Sequence, residues 1–316
     1  MPSAPTHALL VLNPKSRSGS SADLDAGLEL LRDAGMKVEE VASSSPDETR
    51  EIIRSRCGEF DLVIIGGGDG TISSAAGVLL ECRLPLAILP LGTANDLARS
   101  LGINELQQAF STIAANNRRA IDLGEVNGHY FFNVANVGLG VMVTRQLTDE
   151  VKKRWGVFSY LRALGVALVR SGQFRARLLI DGNKTHLRSI QLAVGNGRFY
   201  GGGNVVDDDA TIDDGLLNLY SLRPQRFWEL LTLAPLLRGG RHDLARRVFN
   251  ATGRQIELET VPAGMEVHAD GEPVAQTPAT FRVLPGALEV VASTAAPGLT
   301  VPAEAAAAKG GVGSGG

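Results

Sequence analysis

Asp61-Leu62-Val63-Ile64-Ile65-Gly66-Gly67-Gly68-Asp69-Gly70-Thr71 is an apolar run that ends in a cluster of glycines. Leu62–Ile65, branched and uniformly apolar, predicts a strand buried on both faces, as in a parallel sheet. The glycines predict a tight passage from that strand into a helix. Side chains there would block a phosphate, whereas bare N–H groups at a helix N-terminus attract one. The stretch is not a Walker A loop, because no Gly-Lys-Ser/Thr follows. It also fits the dinucleotide fingerprint poorly, since Asp69 stands inside the loop and not on the following strand. An acid beside phosphates is repelled unless a cation intervenes, so Asp69 points to a divalent ion. A glycine-rich turn that binds nothing would explain the glycines but not the acid among them.

Working outward, strand and helix signals alternate over the first 120 residues. Ala8–Leu12 predicts a buried strand, and Leu24, Leu28 and Leu31 mark one face of a helix stopped by Gly35. Lys37–Val41 predicts a second strand. Ser45-Pro46-Asp47-Glu48 is a capping box with proline at the first helical position, opening a helix to about Arg56. A helix to Leu80, a strand at Leu86–Leu89 and a helix from about Ala94 complete a β-α-β-α series, hence a parallel sheet. After Ile121 the rhythm becomes mainly antiparallel. Tyr130–Asn136, Arg175–Ile180, Ile190–Val194 and Leu216–Tyr220 read as strands, with Asp181-Gly182, Asp214-Gly215 and Asp270-Gly271 as hairpin signals. Stretches near 148–171 and 224–238 read as helical. The fold class expected is an α/β domain followed by an antiparallel β-sandwich.

The chain has 316 residues, 44% hydrophobic and 21% charged, with a net charge of −3. That is a globular composition with room for two cores, and its acidity argues against a general nucleic-acid partner. Two cysteines, Cys57 and Cys82, give no disulfide framework and suit a reducing compartment. The N-terminus lacks a basic signal-peptide region, and no apolar run is long enough to span a membrane. A cytoplasmic location is expected. His7, His129, His186, His242 and His268 have no ligand spacing and read as structural or exposed.

Two more loops flank the glycine loop in this reading. Pro90-Leu91-Gly92-Thr93-Ala94-Asn95-Asp96 again leads from strand to helix, though Thr93 as a cap and Asp96 in the first turn would explain it structurally. Asn13-Pro14-Lys15-Ser16-Arg17-Ser18-Gly19 follows the first strand and would face the same sheet edge. Loops at the C-terminal edge of a parallel sheet form the usual ligand crevice.

Together these elements resemble the diacylglycerol kinase catalytic-domain family, whose members include sphingosine and ceramide kinases and bacterial soluble lipid kinases. The resemblance extends to Phe132-Asn133-Val134-Ala135-Asn136-Val137-Gly138-Leu139-Gly140, Gly195-Asn196-Gly197, Asp213-Asp214-Gly215-Leu216 and Asp270-Gly271-Glu272-Pro273. It implies an ATP- and Mg²⁺-dependent kinase acting on a lipid hydroxyl. It implies an α/β nucleotide domain over residues 1–121, to which 287–294 return, and a β-sandwich lipid domain over 122–286. Residues 295–316, rich in small side chains, are expected to be a disordered tail. Carried over by position, Ser43, Gly66, Gly67, Gly68, Asp69, Gly70, Thr71, Ile72, Thr93 and Asn95 would contact ATP. Glu272 would accept the hydroxyl proton, with Asp69 and Asp270 as further catalytic carboxylates. Asp214 and the backbone oxygens of Thr211 and Leu216 would hold Mg²⁺, and Asp96 and Asp122 would orient substrate. Family members commonly carry Pro-x-Ala before the metal loop, whereas this chain has Asp207-Asp208-Asp209-Ala210.

From Val151 to Arg177 the chain has cations, including Lys152, Lys153, Arg154 and Arg162, but no acid, interleaved with Trp155, Phe158 and Tyr160. Such a stretch suits either an anionic membrane surface, at the inner membrane face, or packing on the β-domain. A membrane lipid is the expected partner, and a homodimer is compatible with the sequence. The competing readings are a soluble-metabolite kinase of the NAD kinase type, which shares the Gly-Gly-Asp-Gly-Thr loop, and a non-catalytic binding relative.

Overall fold

The computed structural model describes residues 7–13, 21–138, 172–197, 199–200, 204–205, 210–223 and 248–300. The helical stretch near 148–171 with most of the basic stretch, the loop from Pro14 to Gly19, the acids at 207–209, the helical stretch near 224–238 and the tail from 301 lie outside the described residues; of the basic stretch only 172–177, with Arg175 and Arg177, is described.

The N-terminal half is the expected parallel sheet. Strands β1 (His7–Leu12), β2 (Lys37–Ala42), β3 (Leu62–Gly67) and β4 (Leu86–Pro90) stand in the order β2-β1-β3-β4, all parallel. Every residue of β3 and β4 is buried, which is why their sequences are apolar without alternation. Helices α1 (Ser21–Asp33), α2 (Pro46–Ser55), α3 (Asp69–Cys82) and α5 (Leu106–Ala115) pack around this sheet, and Leu31, Ile53, Val78, Leu79 and Phe110 complete its core. Ser45 caps α2 by accepting from Glu48 N–H, as the capping box requires. The Glu48 carboxylate reaches back to Ser44, taking both its N–H and its hydroxyl, one residue earlier than the box predicts. The helix expected from Ala94 is only α4 (Asp96–Ser100). It breaks at Gly102, which has φ +73°, before α5 begins.

The second half is a sandwich. One layer continues the first sheet through β18 (Ala279–Val291), β15 (Gln255–Val261), β8 (Phe174–Ile180) and β9 (Asn183–Ser189). The other is six-stranded: β14 (Val248–Gly253), β13 (Leu217–Leu222), β10 (Gln191–Gly195), β7 (Val134–Gly138), β16 (Glu266–Ala269) and β17 (Glu272–Gln276). Phe131, Phe174, Leu192, Leu219, Leu258 and Phe281 fill the space between them. Asp181-Gly182 and Asp270-Gly271 are two-residue turns with both φ positive, as their dipeptides predict. Asp214-Gly215 instead makes the turn that enters β13.

The two halves are joined by strands and not by a linker. β5 (Arg118–Val126) runs through the 121/122 position, and β18, paired along it, runs through 286/287. β18 is antiparallel to β5 and β15 yet pairs in parallel with β4 at Val290 and Leu86.

Two expectations need correction. Residues 295–300 are not a disordered tail. Leu299 is 5% exposed in the first core, Gly298 exchanges backbone bonds with Ser100 and Ile212, and Asp213 receives both the N–H and the hydroxyl of Thr300. Small residues looked like low complexity, but Gly298 sits where a Cβ would lie 2.7 Å from that of Ser100, so smallness is what lets the chain dock. The cysteines also form a pair, Cys57 with Cys82, their Cα atoms 5.4 Å apart. The ends of α2 and α3 lie side by side, a proximity that a separation of 25 residues did not reveal.

The docked segment gives a first test. Leu299→Ala should lower unfolding free energy by about 2–3 kcal/mol, the cost of emptying a buried leucine site. Urea denaturation measures it, and an unchanged midpoint would mean that the segment is not packed.

Candidate active site

The glycine loop sits at the edge where β3 and β4 end. α3 begins at Asp69, and its N-cap, Gly68, supplies no side chain, so the first turn's N–H groups lack a side-chain cap. The second loop lies against it, backbone to backbone. A Cβ on Gly92 would stand 2.4 Å from Gly68 Cα, so this approach requires glycine. Leu91 N–H donates to Gly67 O at 3.1 Å, and Asn95, at φ +52°, folds the loop on itself. Its Oδ1 accepts from Gly92 N–H at 3.0 Å while its Nδ2 donates to Gly92 O at 2.9 Å. Asn95 is therefore spent on loop shape.

Asp69 joins the loops by accepting from Leu97 N–H at 3.3 Å. Burial pushes its carboxyl up to about 6, and the neighbouring Asp96 and Asp270 add to the shift against the pull of backbone donors. A partly desolvated acid among other acids is a group that a hard cation would stabilise. Thr93 in the second loop is exposed, and Thr71 and Gly70 are accessible, whereas the Ile72 side chain is fully buried in the core. Ser43 is also buried, its hydroxyl sharing a 2.8 Å bond with Thr49 and donating to Ser45 O, so it does not face the loops as a ready nucleotide contact.

The carboxylate expected to be catalytic beside Glu272 has another task. Asp270 accepts from Phe132 N–H at 2.8 Å, Asn133 N–H at 3.0 Å, Val134 N–H at 3.1 Å and Ser73 Oγ–H at 2.9 Å. Burial pushes its carboxyl up, but these four donors favour the ionised form. With its lone pairs so engaged, Asp270 is a brace and not a base. It pins the β16–β17 turn to the bend between β6 (His129–Phe131) and β7 and to the flank of α3. Glu272, first residue of β17, is exposed, and its carboxylate bonds to no described residue, which leaves it available. Ser73, which sequence reasoning missed, lies one turn after Asp69 on α3. That spacing puts both on one face and is the signal that could have found it.

Asp122 is likewise structural. It is 3% exposed, Gly215 N–H donates to its Oδ2 at 2.6 Å and Gly286 N–H to its Oδ1 at 2.7 Å. It ties the turn before β13 to the bulge in β18. Asn196, also missed, donates from Nδ2 to Asp122 O and Phe132 O, joining this tie to the Asp270 brace. Asp214 accepts from Thr211 N–H at 3.1 Å and Leu216 N–H at 2.8 Å, and burial pushes its carboxyl up. The Thr211 hydroxyl is buried without a partner. An exposed carboxylate beside an orphaned, buried hydroxyl in an acid-rich turn fits an oxygen-ligated divalent ion, though no cluster of three acidic, His or Cys side chains suited to a metal occurs among the described residues. Among them no helix is long and apolar enough to cross a membrane.

Comparison with known proteins agrees with this architecture. Residues 7–126 match the diacylglycerol kinase catalytic domain, and residues 133–292 match the YegS C-terminal NAD kinase beta sandwich-like domain. A Pseudomonas aeruginosa PAO1 protein named "Probable lipid kinase YegS-like" is 34% identical over 300 residues, covering 93% of this chain and 97% of its own. A Yersinia pestis Pestoides F protein of the same name is 32% identical over 295 residues, covering 90% and 96%. A crystal structure of a diacylglycerol kinase from Bacillus anthracis str. Sterne shares the fold with a TM-score of 0.75 at 22% identity, covering 92% of this chain and 98% of that one. Another from that strain has a TM-score of 0.80 at 24% identity, covering 94% and 100%. The two-loop edge, the braced hairpin and the matches over both halves place this chain in the diacylglycerol kinase catalytic-domain family, among its YegS-like members.

Proposed function

We propose that this chain transfers the γ-phosphate of ATP to a hydroxyl of a membrane lipid, with Glu272 as the proton acceptor and Mg²⁺ as the required ion. Membership of the family makes it a phosphotransferase with an alcohol acceptor. The observation that carries the finer reading is the Asp270 brace. It sets the hairpin bearing the unengaged Glu272 against the flank of α3, whose first turn is the glycine loop.

In this reading the phosphates lie along Gly66–Thr71 and beside Thr93, where backbone N–H groups and the N-terminus of α3 offset their charge. Mg²⁺ would be met by Asp69 at the nucleotide and by Asp214 with Thr211 and Leu216 at the second site. When bound it supplies neutralisation of phosphate charge. Phosphoryl transfer needs little covalent chemistry from the protein, so positioning dominates. Glu272 takes the hydroxyl proton as the oxygen attacks, and the rigid hairpin fixes where it stands. Asp96 is 4% exposed and Asp122 is occupied by backbone donors, so neither is assigned to substrate.

The reading is tested by [γ-³²P]ATP with mixed lipid micelles. Label should enter the chloroform-extracted lipid, and label found in NAD alone would overturn the lipid assignment. Glu272→Gln should cut kcat by about 10²–10⁴-fold while ATP affinity is kept. Near-normal kcat would remove Glu272 from this role.

Asp69 makes a second prediction, with a defined sign. Its carboxyl titrates near 6 in the folded chain, above its unfolded value. The folded state therefore binds the extra proton, and the stability tied to that proton is lost as pH rises from about 4 through 6. Asp69→Asn should abolish turnover yet raise the unfolding free energy of the nucleotide-free protein at pH 7.5 by up to about 3 kcal/mol, and its melting temperature with it, with no gain at pH 4. A lower melting temperature at pH 7.5 would contradict this account of Asp69.

For the second ion site, Asp214→Ala should remove most of the rise in melting temperature that Mg²⁺ gives without ATP. An undiminished Mg²⁺ effect would place the ion elsewhere.

A further inference from the structure

Helix α4 is five residues long, too short to hold its place by its own hydrogen bonds. Both of its ends are tied elsewhere. At its start, Leu97 N–H donates to Asp69, the carboxylate of the glycine loop. At its end, Leu97 O, Ala98 O and Arg99 O accept from the N–H groups of Leu101, Ile103 and Gly102. The next two carbonyls are met from the far end of the chain. Ser100 O accepts from Gly298 N–H and Leu101 O from Ser293 N–H, each at 2.9 Å. Ser100 is 1% exposed, so loss of that donor would strand a buried carbonyl.

The segment that supplies these donors has its own anchors. Leu299 is buried in the first core, and Gly298 O accepts from Ile212 N–H at 2.8 Å. Asp213 takes the N–H and the hydroxyl of Thr300, and Arg119 donates both to Asp213 at 3.1 Å and to Thr300 O at 2.9 Å. The approach to α4 is backbone against backbone. A Cβ on Gly298 would lie 2.8 Å from both Ser100 Cα and Ser100 O, and one on Gly102 would lie 3.1 Å from Ala296 Cα. No rotamer change relieves such contacts, so a displacement of the segment is a displacement of α4. The helix spans only about 7 Å, and a shift at its end reaches the N–H that Asp69 accepts from.

We propose that residues 293–300 are a positioning element for the nucleotide, acting through α4 to hold Asp69 in the orientation that ATP and its ion require. The role rests on the lipid-kinase reading above, in which Asp69 serves the nucleotide. The segment itself takes no part in the chemistry. Coupling of this kind is reciprocal, so bound ATP tightens the segment by the same factor by which the segment tightens ATP.

The test measures binding of ATP with Mg²⁺ to the full-length protein by titration calorimetry, without lipid. Gly298→Ala, which pushes Ser100 away, should weaken ATP binding about tenfold, the worth of one good hydrogen bond, with the lipid KM unchanged. Thr300→Val, which loses the hydroxyl held by Asp213, should weaken it in the same direction, and Thr300→Ser should restore it. That pair carries the test if Gly298→Ala fails to fold. Leu178→Ala, in the sandwich core, should lose stability yet keep wild-type ATP affinity, which separates positioning from general loosening. In wild type, hydrogen exchange over 293–300 should slow when ATP is added. Folded segment variants with wild-type ATP affinity, equal weakening in Leu178→Ala, or exchange that ATP leaves unchanged overturns the positioning role and leaves the kinase reading standing. Wild type that binds no ATP overturns the kinase reading and this role with it.

Discussion

One buried carboxylate holds the candidate site together. Asp270 gathers three consecutive N–H groups from the β6–β7 bend and a hydroxyl from α3 onto its two oxygens. A charged acceptor with that many donors gains more than neutral bonds would, but only if every donor stays in place. The cost of burying the charge is therefore also a constraint on geometry. The helix that starts at the glycine loop and the hairpin that carries Glu272 cannot move apart without stranding a charge.

The same device recurs at lower stakes. Asp122 braces two turns, Asp181 takes the N–H groups of Arg254 and Gln255, and Asp213 fastens Thr300 while pairing with Arg119. Carboxylates capping backbone turns let long strands such as β5 and β18 pass through both halves while the loops between them stay fixed. In the proposed reading, chemistry falls to the few acids left unbraced or strained, Glu272 by exposure and Asp69 by desolvation among its neighbours.

The sheet and its loops were legible because they rest on local signals. Buried parallel strands are apolar throughout, glycines mark the close approach of Gly68 and Gly92, and Asp-Gly marks type I′ hairpins. What escaped was long-range. Nothing near Asp270 in sequence says that its partners are residues 73 and 132–134, so a structural acid looked catalytic. Asn95 and Ser43 looked like ligand contacts because small polar residues in loops serve ligands and the backbone alike. The docking of residues 295–300 depended on Gly298 fitting against Ser100, and the pairing of Cys57 with Cys82 on two helix ends meeting.

Melting of Asp270→Asn, beside wild type and at the same pH, tests the central claim most directly. An amide in this pocket turns an N–H toward backbone N–H donors that a carboxylate accepted. The account predicts a loss of about 2–4 kcal/mol in stability along with lost turnover, since a buried donor set is left unsatisfied. A variant that melts at or above the wild-type temperature while losing activity would show Asp270 to be a catalytic group and not a brace.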